Sequence, residues 1–221
     1  MNHWKLAVFD LDGVLTDTAR HHFMAWKETL ESLQIPVDDE VCELVKGISR
    51  AESLALILKR AKLTMEDAQF QRVLEDKNAA YLQRIEGLTK QDILPGIEQL
   101  LQSLQEDHIL CAVASASKSA PRILKQLEID HYFAHIADPS KIAKGKPAPD
   151  IFLEPCTYFH ISPREAVGFE DAAAGVQAIK AAGLYAIGIG HEQLKLEHPD
   201  QYYASTKELS YPRLQQLVKE R

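Results

Sequence analysis

The stretch Ala7-Val8-Phe9-Asp10-Leu11-Asp12-Gly13-Val14-Leu15-Thr16-Asp17 decides how the rest of the chain is read. An apolar run closed by an Asp-Gly turn signal reads as a buried strand, and this one delivers two carboxylates and a glycine at its C-terminal end. Open α/β sheets place their ligands at that end. Burying an unpaired charge is costly, so two acids one residue apart at such a point ask for a cation. A calcium loop of the EF-hand kind does not fit, because Gly13 directly follows Asp12 and the apolar Val14 and Leu15 stand where further oxygen ligands are needed. Taken alone, the segment also reads as a polar turn closing a strand.

The composition sets bounds on this reading. The chain has 221 residues, 46% hydrophobic and 26% charged, enough for one large globular domain or a domain with a sizeable insertion. The net charge of −7 argues against a nucleic-acid partner or an anionic membrane surface, and it leaves room for a local positive pocket that takes an anionic metabolite. No signal-peptide pattern opens the chain and no apolar run reaches membrane length. Cys42, Cys111 and Cys156 are odd in number and form no C-x-x-C pair, so they are expected to be reduced core residues in a cytoplasmic protein. The expectation is a monomer with small-molecule substrates and neither nucleic acid nor membrane as a partner.

Beyond the first strand the period changes. From about 21 to 85 the apolar residues recur at helical spacing: Phe23, Trp26, Leu30 and Leu33, then Leu54, Ile57, Leu58 and Ala61, then Phe70, Val73, Leu74 and Tyr81. After Leu94-Pro95-Gly96 a helix with Ile97, Leu100, Leu101 and Leu104 inward leads into repeated strand–helix alternation. Strands are expected at 109–114, 133–137, 166–169 and 185–189, helices near 123–127, 149–159 and 173–182, and only a surface loop over 190–201. The fold class is therefore α/β, a doubly wound parallel sheet with an inserted α-helical cap: residues 1–15 and 95–221 form the core and 16–94 the cap. Such an insertion, hinged near 15–19 and 90–95, would hang over Asp10 and Asp12 as a lid.

Three later stretches sit at expected strand ends or in the loops that lead into the next helix. Ser115-Ala116-Ser117-Lys118-Ser119, before Pro121, collects hydroxyls, N–H groups and an ammonium at a helix start. A phosphate cradle and a simply capped helix are equally good readings of it. In Lys144-Gly145-Lys146-Pro147-Ala148-Pro149-Asp150 the prolines stiffen a loop that presents Lys146 rigidly. Glu170-Asp171 brings two more acids, so four carboxylates meet at neighbouring strand ends and need a divalent cation and a lysine. Oxygen-only ligands favour Mg2+. The pair alone is also readable as first-turn acids on a helix dipole. Within the cap, Arg50 by itself reads as a solvated helix-end cation. Lys77 and His22 lie on apolar helix faces, where a snorkelling lysine and a hydrogen-bonded core imidazole are the plainer explanations.

In order, Asp10-Leu11-Asp12-Gly13-Val14, Ser115 at a strand end, Lys146 before Pro147, and Glu170-Asp171 resemble the four motifs of the haloacid-dehalogenase superfamily of phosphotransferases. The likeness extends to that superfamily's sugar-phosphate mutases through Thr16-Asp17-Thr18, His22, Trp26-Lys27, Lys46-Gly47-Ile48-Ser49-Arg50 and Lys77-Asn78, and it weakens after about Gly190. Ser119 stands where the family often has Asn, and Ala172, in place of a frequent Ser, offers no side-chain ligand.

The resemblance implies a role for each of these groups. Asp10 would be the nucleophile that forms an aspartyl-phosphate, and Asp12 the general acid and base. Mg2+ would be held by Asp10, the backbone carbonyl of Asp12 and Asp171, with Glu170 close by or acting through water, and Lys146 and Ser115 would offset charge on the transferred phosphoryl group. Arg50, Ser117 and Lys118, with Ala116 and Ser119 in the same loop, would hold a distal phosphate. Trp26, Lys46, Gly47, Ile48, Ser53 and Lys77 would shape the sugar side, His22 would couple the cap to Asp12, and Thr18 would sit at the hinge. The implied reaction interconverts β-D-glucose 1-phosphate and D-glucose 6-phosphate with β-glucose 1,6-bisphosphate as priming intermediate. A sugar-phosphate phosphatase and a non-catalytic sugar-phosphate sensor on the same scaffold are the alternatives.

Overall fold

The computed structural model describes residues 4–219. β1 (Leu6–Phe9) is central in a six-stranded parallel sheet of order β3-β2-β1-β4-β5-β6. The other strands are β2 (Leu110–Val113), β3 (His135–Ile136), β4 (Ala166–Glu170), β5 (Tyr185–Ile189) and β6 (Gln201–Tyr203). Register is set by alternation. Ala7 and Phe9 face one apolar layer with α5 (Ile97–Glu106), whereas Leu6 and Val8 face the other with α7 (Asp150–Tyr158) and α8 (Ala173–Ala182). Phe9 pairs with Val113 on one side and Phe169 on the other, so the residues that follow β1, β2 and β4 emerge side by side.

Between β1 and β2 lie α1 (Ala19–Glu31), α2 (Asp39–Leu44), α3 (Arg50–Ala61) and α4 (Asp67–Arg84). Their inward faces form a core of their own around Trp26, Leu30, Val41, Leu54, Ile57 and Val73. α3 begins with a capping box in which Ser49 Oγ accepts from Glu52 N and Glu52 Oε2 accepts from Ser49 N. The two junctions of this block run together: Leu94 N donates to Leu15 O at 2.9 Å and Thr16 Oγ1 to Asp92 O at 2.8 Å. The helical faces inferred from the sequence point inward except at Leu33, which lies past the end of α1 and is exposed because the chain has left the helix there, and each expected strand is present with ends shifted by a residue or two.

The C-terminal region departs from expectation. The loop anticipated over 190–201 holds a 3₁₀ turn, Glu192–Glu197, and hands over to β6, which pairs with β5. α6 (Ala120–Gln126) lies between β2 and β3, and α9 (Tyr211–Lys219) packs near α5. Three residues, Gln201-Tyr202-Tyr203, are too few to show a period, so this edge strand is formed by pairing and not by pattern. No helix among the described residues is long and apolar enough to cross a membrane.

Candidate active site

The end of β1 is held from every side. Asp10 N donates to Phe169 O at 3.0 Å, Asp10 Oδ2 accepts from Asp12 N at 2.9 Å, and Gly13 N closes the turn on Thr16 O at 2.8 Å. Gly13 has φ +78°, and a Cβ there would collide with the Asp171 carboxylate, so the turn needs glycine for both backbone and space. Asp10 Oδ1 meets Lys146 Nζ at 2.5 Å, and the same ammonium reaches Glu170 Oε2 at 2.8 Å. Glu170 Oε1 accepts from the N–H groups of Asp171 and Ala172, both at 3.1 Å. The Lys146 side chain is fully buried, with its ammonium 4.9 Å from the centre of the Phe152 ring.

The charges do not balance. Asp10, Glu170 and Asp171 bring carboxylate oxygens within 4.8 Å of one another, with one ammonium among them. Burial and then the Asp10 charge push the Glu170 carboxyl up to about 7 against the pull of Lys146, and burial with the neighbouring acids lifts Asp171 well above the carboxylate range. Burial works against the charge on Lys146, yet Asp10 and Glu170 hold its ammonium above the ordinary lysine range. An all-oxygen set with excess negative charge suits a hard divalent cation of the Mg2+ kind. The Asp12 side chain stands outside this set. Burial and then the charge of Asp10 push its carboxyl up to about 8, and its Oδ1 is buried with no hydrogen-bond partner among the described residues.

The serine loop after β2 runs past these acids. Ser115 Oγ accepts from Ser117 N at 3.1 Å and Ser117 Oγ from Ser119 N at 3.2 Å, while Ser119, at the N-cap of α6, makes no capping bond with its side chain. The hydroxyls therefore stiffen the loop and do not cap the helix. Ser115, Ala116, Ser117, Lys118 and Ser119 all line one cavity of about 670 Å³, which is floored by Asp10, Asp12 and Asp171 and roofed by the helical block.

From that roof, Lys77 Nζ meets His22 Nδ1 at 2.6 Å, and His22 Nε2 faces Asp12 Oδ2 at 3.8 Å. An ammonium only donates, so with Lys77 protonated the imidazole accepts at Nδ1 and carries its proton on Nε2, toward Asp12. Burial and Lys77 lower the His22 pKa well below the usual value, which keeps the ring neutral, and burial with nearby Arg50 brings Lys77 down to about 7. Lys77 is 2% exposed and lies 5.2 Å from the centre of Trp26, so it does not snorkel as its helical position alone suggests. Arg50 also departs from its plainer reading: it lines the cavity, half buried, with Nη1 buried and unpartnered among the described residues. Lys46, Gly47, Ile48 and Ser53 line the same wall; Lys46 pairs with Glu43 at 2.7 Å, and the Ser53 hydroxyl is already given to Ser49 O at 2.9 Å. Thr18 is buried at the start of α1, outside the cavity lining, with its hydroxyl unpartnered among the described residues. Cys111 and Cys156 are core residues as expected, but Cys42 is half buried on the cavity wall.

Two residues of this region escape a reading of the sequence. Tyr81 counts there only as core, although its place one turn after Lys77 on the same face is a usable signal. Glu52, which no sequence pattern read above singles out, has its carboxylate against Gly145 in the loop that carries Lys146.

A parallel sheet of this order, with acids at the ends of β1 and β4, a lysine between them and a helical insertion after β1, defines a class. Residues 4–183 match the family model described as haloacid dehalogenase-like hydrolase, and the chain belongs to that family. Within it, the chain is 46% identical over 191 residues to the β-phosphoglucomutase of Bacillus subtilis (strain 168), covering 86% of this chain and 84% of that one. The crystal structure of β-phosphoglucomutase from Clostridium difficile superposes with a TM-score of 0.94 at 37% identity, covering 98% of this chain and 97% of the other. A more distant relative, the phosphorylated carbohydrates phosphatase of Thermotoga maritima, is 29% identical over 191 residues, covering 85% of this chain and 86% of that protein.

Proposed function

We propose that this protein is a Mg2+-dependent β-phosphoglucomutase, which interconverts β-D-glucose 1-phosphate and D-glucose 6-phosphate through an aspartyl-phosphate and β-glucose 1,6-bisphosphate. The observation that carries the mutase reading is Arg50. A half-buried guanidinium on the cavity lining, with a buried nitrogen that has no partner among the described residues and with Ser117 and Lys118 on the same lining, would make a second anion site apart from the one at Lys146 and Ser115. A phosphatase needs one phosphate site, whereas a mutase whose bisphosphate turns over in place needs two. The relatives named β-phosphoglucomutase support the same reading.

Both Asp10 oxygens are already oriented, Oδ1 by Lys146 and Oδ2 by the Asp12 N–H. One of them attacks phosphorus, forming the P–O bond to Asp10 as the P–O bond to the sugar breaks. Asp12, with its carboxyl held near 8, is protonated at neutral pH and gives its proton to the departing sugar oxygen. In the complementary step the free C6 hydroxyl of a β-glucose 1-phosphate attacks the aspartyl-phosphate, forming the bisphosphate as the P–O bond to Asp10 breaks, while the Asp12 carboxylate takes the hydroxyl proton. Lys146 and Ser115 would offset the charge of the transferred phosphoryl group. Asp10, Glu170 and Asp171, with the Asp12 carbonyl, would hold Mg2+, which supplies charge neutralisation for the phosphoryl oxygens. We read 16–94 as the cap and the remainder as the core; the paired junctions at Leu15–Leu94 and Thr16–Asp92 are the natural hinge, with Thr18 just beyond it.

The test is incubation with Mg2+, β-glucose 1-phosphate and a trace of β-glucose 1,6-bisphosphate. Glucose 6-phosphate is the expected product; stoichiometric inorganic phosphate in its place would mark a sugar-phosphate phosphatase. Unchanged substrate under conditions where the protein binds it would mark a sensor.

A further inference from the structure

His22 has one hydrogen bond among the described residues, the 2.6 Å contact from Lys77 to Nδ1; its other nitrogen is 3.8 Å from Asp12. One hydrogen bond fixes a point and leaves the imidazole free to swing about it. What fixes the plane is Tyr81. The two rings stack at 3.9 Å between centroids and 23° between planes, and Lys77 Nζ lies 4.8 Å from the centre of the same phenol ring. Tyr81 is itself immobilised, 2% exposed in the cluster that includes Ile85 and Leu88. Its hydroxyl lies beside the Thr18 and Ser117 hydroxyls and closes no hydrogen bond with either, although it is buried. With no well-formed hydrogen bond from its oxygen, the contact this buried phenol makes with His22 is through its face.

We propose that Tyr81 is a positioning residue: its ring holds the His22 imidazole, and with it the Lys77 ammonium, in the orientation that presents His22 Nε2 to Asp12. This rests on the phosphomutase reading, in which Asp12 moves the proton. A further consequence is that ring and hydroxyl are separable, so phenylalanine substitutes for tyrosine at this position.

The experiment compares the wild type with Tyr81→Phe, Tyr81→Leu, His22→Ala and the double variant Tyr81→Leu/His22→Ala, measuring kcat and KM for mutase turnover. Tyr81→Leu is expected to lower kcat about tenfold or more, part of the 10²–10⁴ range that acid–base assistance supplies, with KM changed less than about threefold. Tyr81→Phe is expected to stay within about threefold of the wild type, because it keeps the stacked face. On the His22→Ala background Tyr81→Leu should cost nothing further, since the residue it positions is gone. Losses that multiply in the double variant, or a Tyr81→Phe as slow as Tyr81→Leu, would overturn the proposal. A second readout needs neither turnover nor the leucine variant: the His22 ring protons should resonate upfield of those of an exposed histidine in the wild type and in Tyr81→Phe, because they lie over an aromatic face. Their resonance at the exposed-histidine position would also overturn it. A wild type without mutase activity overturns the phosphomutase reading instead, and the presence or absence of the upfield shift then decides by itself whether Tyr81 holds the imidazole.

Discussion

Gly145→Ala probes how closely the cap meets the loop that carries Lys146. A methyl group at Gly145 would stand 2.9 Å from Glu52 Oε2 and 3.1 Å from Oε1, closer than the ~3.3 Å at which carbon and oxygen ordinarily meet. The carboxylate is not free to retreat at no cost, because Oε2 accepts from Ser49 N at 3.0 Å to start α3. Relief requires either loss of that capping bond or a small lift of α3 away from the core. A hydrogen bond of this kind contributes about 1 kcal/mol net, which is about a fivefold shift in the balance between closed and open cap. The contact exists only when cap and core are together, so the cost falls on closure and not on folding. Mutase kcat/KM should therefore fall about fivefold while hydrolysis of a small aryl phosphate, which needs no distal site, changes less than about twofold. Phosphate released per mutase turnover should rise, as water reaches the aspartyl-phosphate more often. Adding Glu52→Asp, one methylene shorter, should recover part of the loss. Unchanged mutase activity in Gly145→Ala, or equal loss of both activities, would refute the reasoning.

Three further outcomes follow from the same geometry. Lys146→Met removes the buried ammonium between Asp10 and Glu170; breaking such a pair costs about 3–5 kcal/mol. At roughly 2–4 °C per kcal/mol for a chain of this size, calorimetry without metal should show Tm lower by about 6–20 °C, and a drop of only a degree or two would contradict the charge balance described. For pH, Asp12 is pushed up to about 8, Glu170 to about 7 and Asp171 well above its ordinary range, so these carboxyls bind protons more tightly in the folded state than in the unfolded chain; His22 and, near the upper end, Lys77 are shifted the other way and oppose them as two groups against three. Metal-free stability should then fall as pH rises from about 4 toward about 8, and added Mg2+ should raise Tm more at the upper end than at the lower; a Mg2+ effect that shrinks with rising pH would be the wrong sign. Arg50→Ala should lower mutase turnover far more than aryl phosphate hydrolysis, and parallel losses in the two assays would remove Arg50 from the distal site.

How much of this was legible in the sequence differs from element to element. The strand before Asp10, the acidic pair at the end of β4 and the helical character of 16–94 follow from short-range pattern, because an apolar period reports which side of a segment is buried whatever buries it. The residue types at Asp10, Asp12, Lys146, Glu170 and Asp171 likewise announce cation and phosphate chemistry, since few other reasons bring so many charges to strand ends. Pattern is silent on what lies across the interface. Lys77 and His22 are 55 residues apart in sequence, and only packing of α4 on α1 turns a plausible snorkelling lysine into a buried donor to an imidazole. Arg50 likewise looks like a surface cation until the helical block that carries it packs over the core and sets it on the cavity wall, and β6 exists because β5 offers it an edge. By itself, then, the sequence determined the sheet, the inserted helices and the identity of the reactive acids, all of which depend on neighbours along the chain. The tertiary structure alone decided which groups meet in the cavity, that Tyr81 lies face to face with His22, and that Glu52 closes on Gly145. Those contacts join segments whose separation in sequence carries no periodic trace.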